Sequence, residues 1–204
     1  MTAKEILKIA KRMQALSQTG LHYASDDFDK QRYEELRELS VHLASIISSS
    51  HIDKIRDIFT FETGFQTPKI DIRSVVLKDG NILLAKEKSD SRWSIPGGFA
   101  DINVSPTENA EKEVFEETGL IVKSKRLLAI IDTHKHDFPA MEFHYYKVIF
   151  LCDLLGGEFI KNIETEQIGF FSFDSLPPLS LMRNTPMVFE IIKKSIQSGD
   201  AYFE

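Results

Sequence analysis

The stretch Pro96-Gly97-Gly98-Phe99-Ala100-Asp101-Ile102-Asn103-Val104-Ser105-Pro106 through Thr118-Gly119-Leu120 constrains this chain most, because both ends of one helix can be read from it. Ser105 with Glu108 three residues on forms a capping box, Pro106 suits the first helical position and Gly119 the left-handed stop. A helix over 106–118 is therefore predicted. Each residue advances about 100°, so Glu113, Glu116 and Glu117 fall within an arc of about 100° and three carboxylates are expected to converge. Like charges at that spacing cost roughly 0.2–0.5 kcal/mol per pair, and acids near a helix C-terminus also oppose its dipole. A compensating cation is expected, and carboxylate oxygens are hard ligands that match Mg²⁺ or Mn²⁺. Standing alone, the acidic face would read more readily as solvated surface. The upstream Gly97-Gly98 pair argues otherwise, since backbone without Cβ atoms lets a carbonyl ligate a metal or a phosphate approach closely.

Around this segment the hydrophobic period divides the chain. Ile6, Ile9, Met13 and Leu16 recur at helical spacing over 2–17, and Gly20 is expected to end that helix. A second helix is predicted over 29–48, with Tyr33, Leu36, Leu39, Leu43, Ile46 and Ile47 as its apolar stripe, and a short third one over 51–62. Thr63-Gly64-Phe65-Gln66-Thr67-Pro68 reads as punctuation, which places a helical domain at 1–62 and a second domain at 63–204. Beyond Pro68 the pattern becomes that of strands. Ile70–Leu77 and Ile82–Ala85 flank an Asp79-Gly80 hairpin signal, and further strands are expected at 126–132 and 142–153, with a last helix at about 184–197. Strands mixed with helices predict an α/β or α+β core.

Composition narrows the function classes. The 204 residues carry 25 basic and 31 acidic side chains, a net −6, so no nucleic-acid partner is expected. The first sixty residues are balanced, nine basic against nine acidic, so the whole excess falls on the remainder. No apolar run reaches membrane-spanning length and the N-terminus lacks a secretory pattern. One cysteine, Cys152, in the apolar run VIFLCDLL, is expected to be buried, and the chain to be cytoplasmic. His134, His136 and His144 lack the helical spacing or cysteine partners of a recognisable zinc site, so exposure or a substrate-loop role is expected of them. Trp93, before a Pro-Gly-Gly turn, reads more readily as core than as a base-stacking platform.

The run Gly98–Leu120 resembles the Nudix box, matching it at Gly98, Glu113, Val114, Glu116, Glu117, Gly119 and Leu120. Val104 stands where that pattern has a Glu and Lys112 where it has an Arg. Trp93-Ser94-Ile95-Pro96 and Phe170-Phe171-Ser172-Phe173-Asp174-Ser175-Leu176-Pro177 resemble the same family, so the likeness covers roughly 69–197. The helical prefix and the phrase Gly97-Gly98-Phe99-Ala100-Asp101 are similar to bacterial members of the CDP-choline and ADP-ribose pyrophosphatase type.

The resemblance implies an α/β/α sandwich with a mixed sheet, and hydrolysis of a nucleoside diphosphate linked to another moiety. It implies Glu113, Glu116, Glu117 and the Gly97 carbonyl as ligands for Mg²⁺ or Mn²⁺, with Glu116 also assisting catalysis. Glu164, then Glu166, are the candidates for the base that takes a proton from the attacking water. Arg73 is a candidate for a substrate phosphate, or else a solvated strand residue, and Gly98 is a second substrate-binding position. Asp101 and Lys112 are expected to support the loop in place of the altered pair, although Lys lacks the bidentate fork of Arg. A homodimer through the N-terminal helices is expected. The alternative is a Nudix-fold ligand sensor without hydrolysis, against which the three retained carboxylates argue.

Overall fold

A computed structural model describes residues 2–47, 51–139, 141 and 143–204. The chain forms two compact units, Met1–Pro68 and Lys69–Glu204. The predicted helix end at Ser48 and strand start at 142 lie outside the described residues.

The first unit holds α1 (Ala3–Tyr23), α2 (Asp27–Ile47) and α3 (Ile52–Thr60). Gly20 does not end α1, contrary to expectation. A Cβ there would strike the ring of Tyr33, so Gly20 is the notch that admits α2. The apolar stripes read from the sequence are only partly covered: Leu43 packs on the helical core and Tyr33 fills the notch at Gly20. The buried side of α1 carries Ala10, Gln14, Ser17 and Gln18, and that of α2 carries Ser40, Val41 and Ala44, whereas Ile9, Leu16, Leu39 and Ile46 are exposed. Gln18 Nε2 donates to Gly64 O at 3.0 Å, holding the connecting segment to this unit.

The second unit comprises β1 (Lys69–Lys78), β2 (Asn81–Glu87), β3 (Trp93–Ser94), α4 (Pro106–Thr118), β4 (Leu120–Asp132), a 3-10 turn (Thr133–Lys135), β5 (Tyr145–Gly157), β6 (Thr165–Phe171), α5 (Pro186–Ser198) and β7 (Tyr202–Phe203). Its strands run in the order β3-β2-β1-β5-β4-β7, with β6 on β2. The sheet is mixed: β1 is parallel to β5 along its length and turns antiparallel to β2 at Leu77 and Lys78. Asp79 and Gly80, both at positive φ, make the tight turn between them.

Helices cover both faces of the sheet, so its central strands are apolar on both sides. Ala110 and Val114 of α4 pack with Ile72, Val76, Leu83, Val122 and Phe150 on one face. Val188, Phe189 and Ile192 of α5 pack with Val75, Ile82, Leu84, Leu128 and Ile149 on the other. Cys152 is buried in the α4 layer, and burial pushes its thiol up. Trp93 lies in the α5 layer, edge-on to Phe171 at 4.6 Å. Among the described residues no helix is long and apolar enough to cross a membrane.

Candidate active site

The acidic helix has the ends its sequence predicts. Ser105 and Glu108 close the capping box, and Gly119 takes the left-handed conformation at φ 73°. Ser74 Oγ donates to Ala110 O at 2.9 Å, tying the middle of α4 to β1. The loop before the helix is stitched to the same strand, because Ser74 N donates to Pro96 O and Ile72 N to Gly98 O. Gly97 adopts φ 141°, and a Cβ there would collide with Ile72 O. At Gly98 a Cβ would stand 2.7 Å from Glu113 Oε2. Gly97 thus lets the loop lie on the backbone of β1, and Gly98 lets it lie on the carboxylate of Glu113.

A cavity of about 360 Å³ opens at this junction, lined by Gly97, Gly98, Glu113 and Glu117, with Arg73, Asp71 and Lys147 from the sheet. Glu117 is nine-tenths buried and accepts from Gly97 N at 3.1 Å. Burial pushes its carboxyl up to about 8, with Glu87 and Glu113 adding to the rise against the pull of Arg73. Burial also raises Glu113. Burial opposes the ionisation of both acids, and a divalent cation bound to their hard oxygens would favour the charged form.

Glu116 does not join them. Its Oε2 accepts from Lys112 Nζ at 2.9 Å, and the same ammonium donates to Asp101 Oδ2 at 2.9 Å. Those two anions hold the Lys112 ammonium firmly protonated. Among the described residues, Glu113, Glu116 and Glu117 do not bring one oxygen each within 4.8 Å of one another, so the expected three-way convergence is replaced by a pair on the cavity and a third acid on Lys112.

Arg73 is not a solvated strand residue. It is buried, with Nε 2.8 Å from Asp71 Oδ1 and Nη1 3.0 Å from Ile95 O. Lys147, paired in register with Asp71 across β1 and β5, contacts its other oxygen. Burial alone would raise Asp71, but the two cations draw its carboxyl below the usual range. Lys147 is lowered, because burial and the neighbouring Arg73 outweigh one shared carboxylate. Neither Asp71 nor Lys147 stood out in the sequence reading. The available signal was Asp71 and Arg73 two apart in a strand, which puts both charges on one face. Glu87 was also missed. It is buried on the cavity wall, accepts from Ser94 Oγ and lies 3.2 Å from Arg183 Nε.

Of the two loop acids, Glu164 lines the cavity and Glu166 pairs with Lys86 at 2.9 Å. Asn162 aims this loop: its Nδ2 donates to Glu117 O at 2.7 Å while its Oδ1 accepts from Glu164 N at 3.0 Å. Phe99 and Tyr145, nearly parallel with ring centroids 5.6 Å apart, form an aromatic wall. His134 and His144, at the two ends of the segment between β4 and β5, are brought together with Asp132 outside the cavity lining.

Residues 68–190 match the model of the NUDIX domain, and residues 4–59 match that of the UDP-X-like, N-terminal oligomerisation domain. The chain belongs to the Nudix family, whose members are pyrophosphohydrolases of nucleoside diphosphates linked to another moiety and generally use divalent metal ions. It is 43% identical, over 92% of each chain, to YjhB of Bacillus subtilis (strain 168), provisionally named an ADP-ribose pyrophosphatase. It is similar along its whole length, and that of the other chain, to the crystal structure of a UDP-X diphosphatase, at 35% identity and a TM-score of 0.65. A Streptococcus suis 89-1591 structure described as an ADP-ribose pyrophosphatase matches 68% of this chain and all of its own at 43% identity, with a TM-score of 0.62.

Proposed function

We propose that this enzyme cleaves the pyrophosphate of a nucleoside diphosphate sugar or alcohol, of the ADP-ribose class, and releases a nucleoside monophosphate. The observation that carries the reading is the buried Glu117 held by Gly97 N beside Glu113, on a cavity that also presents Arg73 and Lys147. Glu113, Glu117 and the Gly97 carbonyl would hold Mg²⁺ or Mn²⁺, with Glu116 joining once released from Lys112. When bound, the ion would supply charge neutralisation at the pyrophosphate and make the attacking water easier to deprotonate.

The chain's own groups do the rest. Arg73, kept charged and fixed in orientation by Asp71, faces a substrate phosphate, and Gly98 allows the phosphate to approach the backbone. Glu164, on the cavity wall with its backbone held by Asn162, is the group that takes the proton of the attacking water in this reading. Lys112 and Asp101 support the loop where most family members use Arg and Glu. The parallel Phe99 and Tyr145 rings offer an apolar wall to a base. The names of the two relatives at 43% identity favour ADP-ribose over CDP-choline.

The N-terminal helices form a homodimer in this reading. Ile9, Leu16, Tyr23, Phe28, Leu39 and Ile46 are exposed apolar side chains on α1 and α2, and the matching family model is described as an oligomerisation domain. The single buried thiol suits the reducing cytoplasm.

The test is a panel of ADP-ribose, CDP-choline, UDP-linked sugars and nucleoside triphosphates, incubated with Mg²⁺ or Mn²⁺. Metal-dependent release of AMP from ADP-ribose is expected. Binding of a panel member without turnover under either metal would favour the sensor. Light scattering is expected to give twice the monomer mass, and a monomer at micromolar concentration would remove the dimer.

A further inference from the structure

We propose that Asp132, His134 and His144 form a second metal site, for a borderline first-row divalent cation of the Zn²⁺ kind, distinct from the carboxylates of α4. The three residues are gathered by strand pairing. Asp132 ends β4, His134 sits in the 3-10 turn that follows, and the chain returns so that Tyr146 pairs with Asp132. His144, two residues before Tyr146, thereby comes opposite the turn. Each side chain offers one donor atom, and all three donors lie within 4.8 Å of one another.

The cluster is already ordered. His144 Nε2 lies 2.7 Å from Asp132 Oδ1, and that oxygen also accepts from His134 N at 2.8 Å. The imidazoles of His134 and His144 lie parallel at 3.9 Å. A cation about 2.0–2.2 Å from each donor would take the place of the proton between Asp132 and His144, and because a ligated metal lies near the plane of each imidazole, one of the two stacked rings swings out of the stack to meet it. Supporting contacts fix the backbone: Asp132 N donates to Glu204 Oε2 at 2.9 Å, while Tyr202 and His136 engage the other oxygen of Glu204. Outer partners of this sort orient ligands and strengthen binding.

Two nitrogens and one oxygen select borderline metals, whereas Glu113 and Glu117 present only hard oxygens, so the two sites differ in the ions they prefer. None of the three residues lines the catalytic cavity. All three are half-buried, which leaves the cluster open to ions from solvent and leaves remaining coordination positions to water.

The test strips the purified full-length protein with chelator, saturates it with Mg²⁺ to occupy the hard site, and titrates Zn²⁺ by calorimetry. Co²⁺ is added in parallel to read the visible spectrum of a nitrogen-ligated ion. One equivalent of Zn²⁺ per chain is expected. His134→Ala and His144→Ala should each weaken it at least about tenfold and remove the Co²⁺ bands, while Glu117→Gln leaves both intact. Asp132→Asn, which keeps an oxygen to cap the turn, serves where a histidine variant fails to fold. Equal Zn²⁺ binding by wild type and the histidine variants, or loss confined to Glu117→Gln, would overturn the proposal.

Discussion

Gly97 N donates to Glu117 Oε2 at 3.1 Å, so the glycine loop and the buried acid of α4 form one unit. The two glycines should fail differently when changed. Gly97→Ala meets both the φ of 141° and the Ile72 carbonyl, and is expected to cost about 2 kcal/mol or more in urea unfolding. Gly98→Ala pushes on the flexible end of Glu113, so its melting should stay within about 1 kcal/mol of wild type while hydrolysis falls at least about tenfold.

Asp71 stands between two buried cations. Asp71→Asn leaves Arg73 and Lys147 without their anion, which is expected to cost about 3–5 kcal/mol. Pairing it with Lys147→Met should recover part of that loss. The folded carboxyl sits below its unfolded value. Its stabilisation is therefore fully present above the ordinary Asp range near pH 4 and is lost as pH falls further, through the folded value. Acid unfolding should be steeper below pH 4 in wild type than in Asp71→Asn, and equal slopes would remove the assignment.

Glu164 and Glu166 separate by where they point. Glu164→Gln is expected to lower kcat about 100-fold or more, because Glu164 lines the cavity. Glu166→Gln breaks only its pair with Lys86, and steady-state kinetics should show it near wild type. The reverse order would move the base to Glu166.

Tyr33 occupies the notch at Gly20. Gly20→Ala overpacks that contact, so a loss of about 1–3 kcal/mol is expected. Thermal unfolding reads it, and an unchanged midpoint would mean the helices adjust freely.

Local signals in the sequence were enough for α4, whose caps and terminal glycine act within a few residues, and for the Asp79-Gly80 hairpin. They misjudged α1, because whether Gly20 breaks a helix or admits Tyr33 depends on a helix not yet placed. The same limit hid the site's basic wall. Arg73 was visible, but the burial that fixes it comes from Asp71 and from Lys147 on a strand more than seventy residues away. Angular spacing put Glu113, Glu116 and Glu117 on one face of the helix, yet Lys112 one turn before Glu116 draws that acid aside. His134 and His144 showed no motif because antiparallel pairing, which joins β4 to β5, brings them together.

Glu117→Gln keeps the shape of the side chain and an oxygen to accept from Gly97 N, but removes the group that can ionise to hold a cation. Calorimetry should show the folded variant still binding ADP-ribose. AMP release in saturating Mg²⁺ or Mn²⁺ should fall at least about 1,000-fold. AMP release at the wild-type rate would mean that Glu117 does not hold the ion and that the chemistry lies elsewhere.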